Sequence, residues 1–381
     1  MQRDLIVFGE DWGGLPSSTQ HLVRHLAQQR KVLWINSIGL RQPHLGKADF
    51  CRIWRKLTSA SKSSSSVTAA NQSKTSSKDS NIVQLNPLTW PAPRSMFARK
   101  LSSKILQKQI QQVQNKMKLH RPILWISLPT AVDMIGKLGE SAVVYYCGDD
   151  FSALAGVDHD VVGQRERELV ESADLILAAS DVLAKRFPSD KTHLIPHGVD
   201  YELFSQAVDR AHDLPDDGRP IAGFYGSIAE WFDLKLVQSL AKRLPEWHFV
   251  IIGKANIDIS SLSKMSNVHL LGPRPHQVLP SYSQHWTASL LPFKNNDQIQ
   301  ACNPLKLREY LAAGRPVIST AYPAALVYQD TIAICANEDN FVAHLEQARK
   351  ITSPQSTLQE TVRGNTWEAR AQQVNHLLEQ L

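Results

Sequence analysis

The segment CNPLKLREYLAAGRPVIST (302–320) carries the densest set of residues suited to chemistry. Asn303 is a favoured helix N-cap type and Pro304 suits a first helical position. Gly314 fits the C-cap that closes a helix LKLREYLAA. The start of such a helix offers unsatisfied N–H groups and the positive end of the helix dipole, a ready site for an anion. The dipole disfavours a lysine in the first turn, so Lys306 makes sense there if an anion is bound. Glu309, one turn on, can accept hydrogen bonds from ligand hydroxyls. A capped surface helix with ordinary charges is the plain alternative.

Three other groups stand out. Asp149 and Asp150 end the apolar run AVVYYCGDD (142–150). Paired carboxylates at the C-terminal end of a parallel strand face the ligand-binding edge, where one could accept a hydroxyl proton. They could equally cap a helix. Gly13 and Gly14 follow the run LIVFG (5–9), with Asp11 and Trp12 beside them. Glycines let backbone N–H groups approach a phosphate or a sugar closely, or simply make a tight turn. His21 and His25 have the spacing of a metal pair, but no third ligand accompanies them, so a solvated helix face is the reading and no metal is expected. The four cysteines form no CxxC pair, which argues against disulfides and structural zinc and for a reducing, cytoplasmic compartment.

The elements that must position these residues alternate strand with helix. LIVFG (5–9), KVLWIN (31–36), ILWISLP (123–129), AVVYYCGDD (142–150), DLILAAS (174–180) and HLIPHGVD (193–200) read as strands, with helices around 18–29 and 161–172. A second series holds IAGFYGS (221–227), WHFVIIG (247–253), NVHLLG (267–272), ASLLPF (288–293), PVIST (316–320) and TIAICA (331–336). The polar, Pro/Gly-containing stretch 205–220 reads as the boundary. A chain of 381 residues exceeds what one core usually supports. Two Rossmann-like α/β domains are therefore expected.

Charge is distributed unevenly. Residues 41–120 hold fifteen Lys/Arg against two acids, a net +13, so the remainder carries −7 of the total +6. Within them, 57–80 is rich in Ser, Thr and Lys and reads as a mobile loop. Residues 95–119 show helical spacing of apolar positions between Lys and Gln. Trp54, Trp90 and Phe97 interleave with Arg52, Arg55, Lys56, Arg94, Arg99 and Lys100, a mixture suited to an anionic membrane surface. No nucleic-acid recognition motif accompanies the charge, so no nucleic acid is expected. No stretch approaches the roughly 20 apolar residues of a membrane span, and the N-terminus does not read as a signal peptide.

The order of these motifs resembles the retaining glycosyltransferase family 4, built on the two-domain B-type (GT-B) fold. The 302–320 segment looks like that family's donor-site helix. IPHGVDYELF (195–204) is similar to its interdomain signature, with His197 in place of Asn. FYGSIAEWFD (224–233), LLGPRPHQVLPSYSQHWTASLLPF (270–293) and the closing NTWEARAQQV (365–374) resemble further family segments. The resemblance covers nearly the whole chain except about 41–120. Its nearest likeness is to bacterial cell-surface polysaccharide glycosyltransferases, of the kind that act in teichuronic acid biosynthesis.

The resemblance implies an acceptor-binding domain over 1–204, a donor domain over 205–364 and a helix, 365–381, packing back on the first domain. It implies transfer of a sugar, with retention, from a nucleotide-diphosphate sugar to a glycan or polyprenyl-linked acceptor across an interdomain crevice, without a cofactor or metal, at the inner face of the cell membrane. Glu309 matches the second Glu of the family's Glu-x7-Glu motif, the ribose ligand. The first falls at Ala301. The family's Arg–Lys diphosphate clamp is absent from Gly226, Ser227, Ile228, Ala229, Glu230 and Trp231, which leaves Lys306, with Arg274 and Lys254, to supply the charge. Ser127 stands where many members carry a cleft histidine, so Asp149 and Asp150 are the candidate bases, or the donor phosphate takes the proton. A non-catalytic scaffold of the same fold is the alternative. A sugar-nucleotide epimerase of this fold is disfavoured by the interdomain signature.

Overall fold

The computed structural model describes residues 2–14, 17–37, 80–87, 96–152 and 159–381. Most of the basic segment lies outside them, including the expected loop and Trp54, Trp90, Arg52, Arg55, Lys56, Arg94 and the Phe97 side chain. The chain forms two compact units: Met1–Leu177 with Phe187–His193 and Leu377–Leu381, and Ala178–Arg186 with Leu194–His376.

The first unit is built on a seven-stranded sheet in the order β3-β2-β1-β4-β5-β6-β7. Its strands are β1 (Leu5–Phe8), β2 (Val32–Ile35), β3 (Ile82–Leu85), β4 (Ile123–Ile126), β5 (Ala142–Cys147), β6 (Leu175–Ala178) and β7 (Thr192–Leu194). β1 runs parallel to both β2 and β4, with Leu5 opposite Val32 and Ile123. Every residue of β1, β2 and β4 is buried, as a parallel sheet covered on both faces requires. Among its described residues this unit has three helices of eight or more residues. They are α1 (Ser18–Leu26), α2 (Met96–Met117) and α3 (His159–Ser172). Ser17 caps α1 by accepting from Gln20 N. The expected helix over 95–119 is α2. It buries Leu106 and Ile110, and its Arg99 pairs with Asp133 at 2.6 Å and with Glu168 of α3 at 2.5 Å.

The second unit carries a six-stranded parallel sheet, β10-β9-β8-β11-β12-β13. The strands are β8 (Ile221–Tyr225), β9 (His248–Ile252), β10 (Val268–Gly272), β11 (Ala288–Leu291), β12 (Val317–Thr320) and β13 (Ala333–Cys335), and the helices are α4 (Leu234–Arg243), α5 (Leu305–Ala312), α6 (Glu338–Ala348) and α7 (Trp367–Gln380). Trp247, Trp286 and Tyr310 are fully buried in one core. The division falls earlier than the polar stretch 205–220. Residues 194–206 belong to the second unit because Gln284 Nε2 donates to the carbonyls of Phe204 (2.8 Å) and Gln206 (2.7 Å) and Val199 bridges to Thr366. Ala211 and Leu214, inside that polar stretch, are buried in the second core. The last residues of α7 count with the first unit, where Leu378 O accepts from Arg3 at 2.7 Å.

Candidate functional site

In each sheet the strand order reverses direction beside the first strand, between β1 and β4 and between β8 and β11. Ligands of doubly wound folds bind beyond the C-terminal ends of the strands at such a switch. In the second unit that edge is formed by Gly226 after β8, Phe293 after β11 and the start of α5.

Two glycines shape this edge. Gly253 has φ +151°, and a Cβ there would stand 1.8 Å from Gly226 O. Gly226 has φ +140°, and its Cβ would meet Lys306 Cε at 2.6 Å. Gly226 N donates to Ile252 O at 2.8 Å, drawing the ends of β8 and β9 together. The room thus left is taken by Lys306. Its ammonium lies 5.7 Å from the centre of the Phe224 ring and 5.6 Å from that of Phe293. No carboxylate among the described residues pairs with it. Burial of the surrounding chain lowers its pKa, and the charge of Glu309 opposes that shift in part.

The start of α5 differs from expectation in one respect. Pro304 stands at the N-cap, with no side-chain cap hydrogen bond. Asn303 is buried and turned away, donating to Ala179 O at 2.7 Å and accepting from Arg308 at 2.6 Å. Its short amide is used to tie the loop down, which leaves the first N–H groups of α5 uncapped beside Lys306. Gly314 follows α5 with φ +74°, as a C-cap glycine should.

Glu309 faces inward, 8% exposed, and its Oε1 lies 2.8 Å from His276 Nε2. Burial pulls the His276 pKa down, but the hydrogen bond and charge of Glu309, with the charge of Asp200, outweigh it and raise it. The ring of His276 meets Phe204 edge-on at 5.3 Å. Sequence reading missed His276 because 33 residues separate it from Glu309; the PHQVL turn gives no local sign of the pairing. Arg274 is not brought to this group in the way expected. Its guanidinium is committed to Asp213 at 2.8 Å and to Tyr282 Oη at 3.1 Å. Lys254 is exposed, and Ser227 is partly exposed. His197 is buried against Trp367, a structural position in its turn.

At the corresponding edge of the first unit, the glycine turn is bonded to itself and to its neighbouring elements. Gly14 N donates to Asp11 O at 3.1 Å, Gly13 N to Gln20 Oε1 at 3.3 Å, and Trp12 N to Asn36 Oδ1 at 2.9 Å. Asp11 Oδ1 accepts from Ser37 N at 3.1 Å. These bonds tie the glycine loop to α1 and to the end of β2. Asp150 accepts from Ser152 N and Oγ at 2.9 and 2.5 Å. Asp149 keeps contact with solvent. Desolvation by the surrounding chain, then the charge of Asp150, push its carboxyl up. The same edge holds Glu10, which sequence reading passed over. Its Oε1 is buried without a partner among the described residues, and burial, then Asp149 and Asp11, raise its pKa against hydrogen bonding that includes Gln20. Ser127 is buried and bonded to Thr19 (3.0 Å) and Trp125 (2.9 Å). No group of three His, Cys, Asp or Glu suited to a metal occurs among the described residues.

Two Rossmann-like units of this topology define the B-type glycosyltransferase fold. Two solved structures share it over the full chain. HepE (Alr3699) of Anabaena, crystallised with UDP and glucose, matches with a TM-score of 0.68 at 11% identity, covering 100% of both chains. Sucrose-phosphate synthase of Thermosynechococcus elongatus matches with a TM-score of 0.68 at 16% identity, covering 100% of this chain and 99% of that one. At such identities the likeness establishes the fold. In sequence, residues 219–350, the stretch that holds Gly226, Lys306 and Glu309, match the family model of the glycosyl transferases group 1. TuaH of Bacillus subtilis (strain 168), provisionally named a teichuronic acid biosynthesis glycosyltransferase, is 30% identical over 225 residues, 54% of this chain and 56% of that protein. The matched region thus spans about half the length of this curated relative.

Proposed function

We propose that the protein transfers a sugar, with retention of anomeric configuration, from a nucleotide-diphosphate sugar to a glycan or polyprenyl-linked acceptor in cell-surface polysaccharide synthesis. The observation that carries this reading is the uncapped start of α5 with the Lys306 ammonium lodged beside Gly226 and unpaired with any described carboxylate. A departing nucleoside diphosphate gains negative charge in the transition state, and preformed donors and a fixed cation stabilise that charge. In this reading Lys306 and the α5 N–H groups serve the diphosphate without a metal. Glu309, held by His276, accepts from the ribose hydroxyls. Glu10 and Asp149 are candidates for contact with the acceptor. The UDP-bound structural neighbours and the TuaH likeness support the donor class and the polysaccharide role. The acceptor's lipid carrier would lie at the inner membrane surface, which the basic segment suits.

A second reading, a non-catalytic scaffold, draws on Ala301 in place of the first motif carboxylate and on the commitment of Arg274 to Asp213. A panel of uridine, guanosine and thymidine sugar nucleotides separates the two by thermal shift and product assay. A donor at about 100 times its Kd stabilises the fold by roughly 2.7 kcal/mol. One class of base is expected to do so and to be turned over. If a nucleotide binds without hydrolysis or transfer to any acceptor, the scaffold reading replaces the enzyme.

A further inference from the structure

Helix α2 presents two opposed faces. Ser103, Leu106 and Ile110 are buried, and Gln107 and Gln114 on the same side donate to the carbonyls of Lys137 and Leu138 at 2.9 Å each. At 100° per residue the opposite side is centred on Leu101, Ile105 and Lys108. There Leu101 is 47% exposed and Ile105 45% exposed, one turn apart. Lys100, Lys104 and Lys108 run in a row along one side of them, all exposed, and no acidic residue occurs anywhere in Met96–Met117. Among the described residues none of the three lysines forms an ion pair or hydrogen bond. Arg99, by contrast, is drawn inward to Asp133 and Glu168, so the helix sorts its cations into one structural arginine and an unpaired lysine stripe.

We infer that this outer face of α2 docks on an anionic lipid bilayer, with Leu101 and Ile105 entering the headgroup region and the lysines facing lipid phosphates. Apolar side chains bordered by a cationic stripe suit an interfacial helix, since burial of apolar area and attraction to anionic lipid add. A nucleic acid would use the charge and leave Leu101 and Ile105 in water. The inference names the surface behind the lipid-linked acceptor proposed above, and it stands or falls separately from donor binding.

Sedimentation of the full-length protein with vesicles tests it. One set is phosphatidylcholine alone and the other contains 30 mol% phosphatidylglycerol, on the order of physiological anionic lipid content. Binding is expected to the anionic set and to fall with salt. Each lysine near the leaflet strengthens association about fivefold. Lys104→Glu with Lys108→Glu is therefore expected to weaken it at least ~25-fold. Leu101→Ser with Ile105→Ser is expected to weaken it with every charge kept. Both doubles change exposed positions, and an unaltered melting temperature and nucleotide-induced shift will show that fold and donor site are intact. Equal sedimentation of the variants and the parent overturns the inference, as does failure of the parent to bind. Binding to duplex DNA as tight as to vesicles, and indifferent to Leu101 and Ile105, overturns it too. Vesicle binding without any nucleotide response leaves the inference standing and sinks the proposed function instead.

Discussion

At the scale of single residues, the second unit's edge turns on one cation and one carboxylate. Lys306 was legible in the sequence as a lysine placed against a helix dipole, and its lodgement beside Gly226 gives that oddity a physical setting. Glu309 was legible by position, whereas its partner His276 was not, because pairing across 33 residues is a product of tertiary folding. Asn303 was misread for a related reason. Its type suits an N-cap, but Ala179 O and Arg308 offered stronger tertiary partners than the helix end. Replacing Lys306 with Ala is expected to weaken nucleotide binding roughly 10- to 100-fold, the worth of one charge-assisted hydrogen bond. Titration calorimetry with the nucleotide that the panel selects would check this, and an unchanged Kd would remove Lys306 from the site. Glu309→Gln keeps the shape and is expected to weaken ribose-bearing ligands while leaving inorganic diphosphate unaffected.

At the scale of elements, the strand pattern was the most readable part of the chain. Buried parallel strands are short apolar runs bounded by turns, and the runs identified in the sequence fall on strands of the two sheets, although HLIPHGVD meets β7 only at its first two residues, His193 and Leu194. The exception was β3, four residues at the sheet edge that pair with β2 and present Gln84 and an exposed Val83 to solvent. A half-exposed edge strand lacks the continuous apolar signature, so nothing but the pairing itself reveals it. The junction of β8 and β9 makes the clearest demand on residue type. Gly253→Ala would place a methyl group 1.8 Å from the Gly226 carbonyl in a backbone conformation that side chains rarely adopt. A loss of at least ~2 kcal/mol in unfolding free energy is expected, measurable by urea denaturation. Nucleotide binding should fall with it, because the turn that holds Lys306 must shift. Gly13→Ala, by contrast, meets no neighbouring atom but has φ +78°, so its cost is conformational strain alone.

At the scale of the whole molecule, the two-unit organisation followed from length and from two strand series, but the boundary did not. Polarity between 205 and 220 marked an exposed stretch, while packing of Phe204, Ala211 and Leu214 assigned it to the second core. Two histidines that no local pattern flags contribute to stability as a function of pH. His269 Nε2 lies 2.8 Å from His248 Nδ1, and His248 Nε2 lies 2.9 Å from Asp217. Burial, then His248, lowers the His269 pKa. Its contribution is therefore present above the unfolded value of about 6.5 and is lost as pH falls through the depressed folded value. His276 is raised, so its contribution is full below about 6.5 and is lost as pH rises through the folded value. Melting temperatures taken from pH 5 to 9 should accordingly show His269→Asn costing most at the alkaline end and His276→Gln costing most at the acid end. Parallel pH curves for parent and variants would refute the assignment.

The setting of Lys306 has a consequence for covalent labelling. An amine whose proton affinity is reduced spends more time as the neutral nucleophile that acylating reagents attack. Brief treatment with a small acetylating reagent near neutral pH, followed by peptide mass mapping, should mark Lys306 early despite its partial shielding. A bound diphosphate would hold the proton on the amine and obstruct the reagent, so the same nucleotide that stabilises the fold should protect this lysine and leave Lys100, Lys104 and Lys108 as reactive as before. Such a footprint would locate the anion without a crystal.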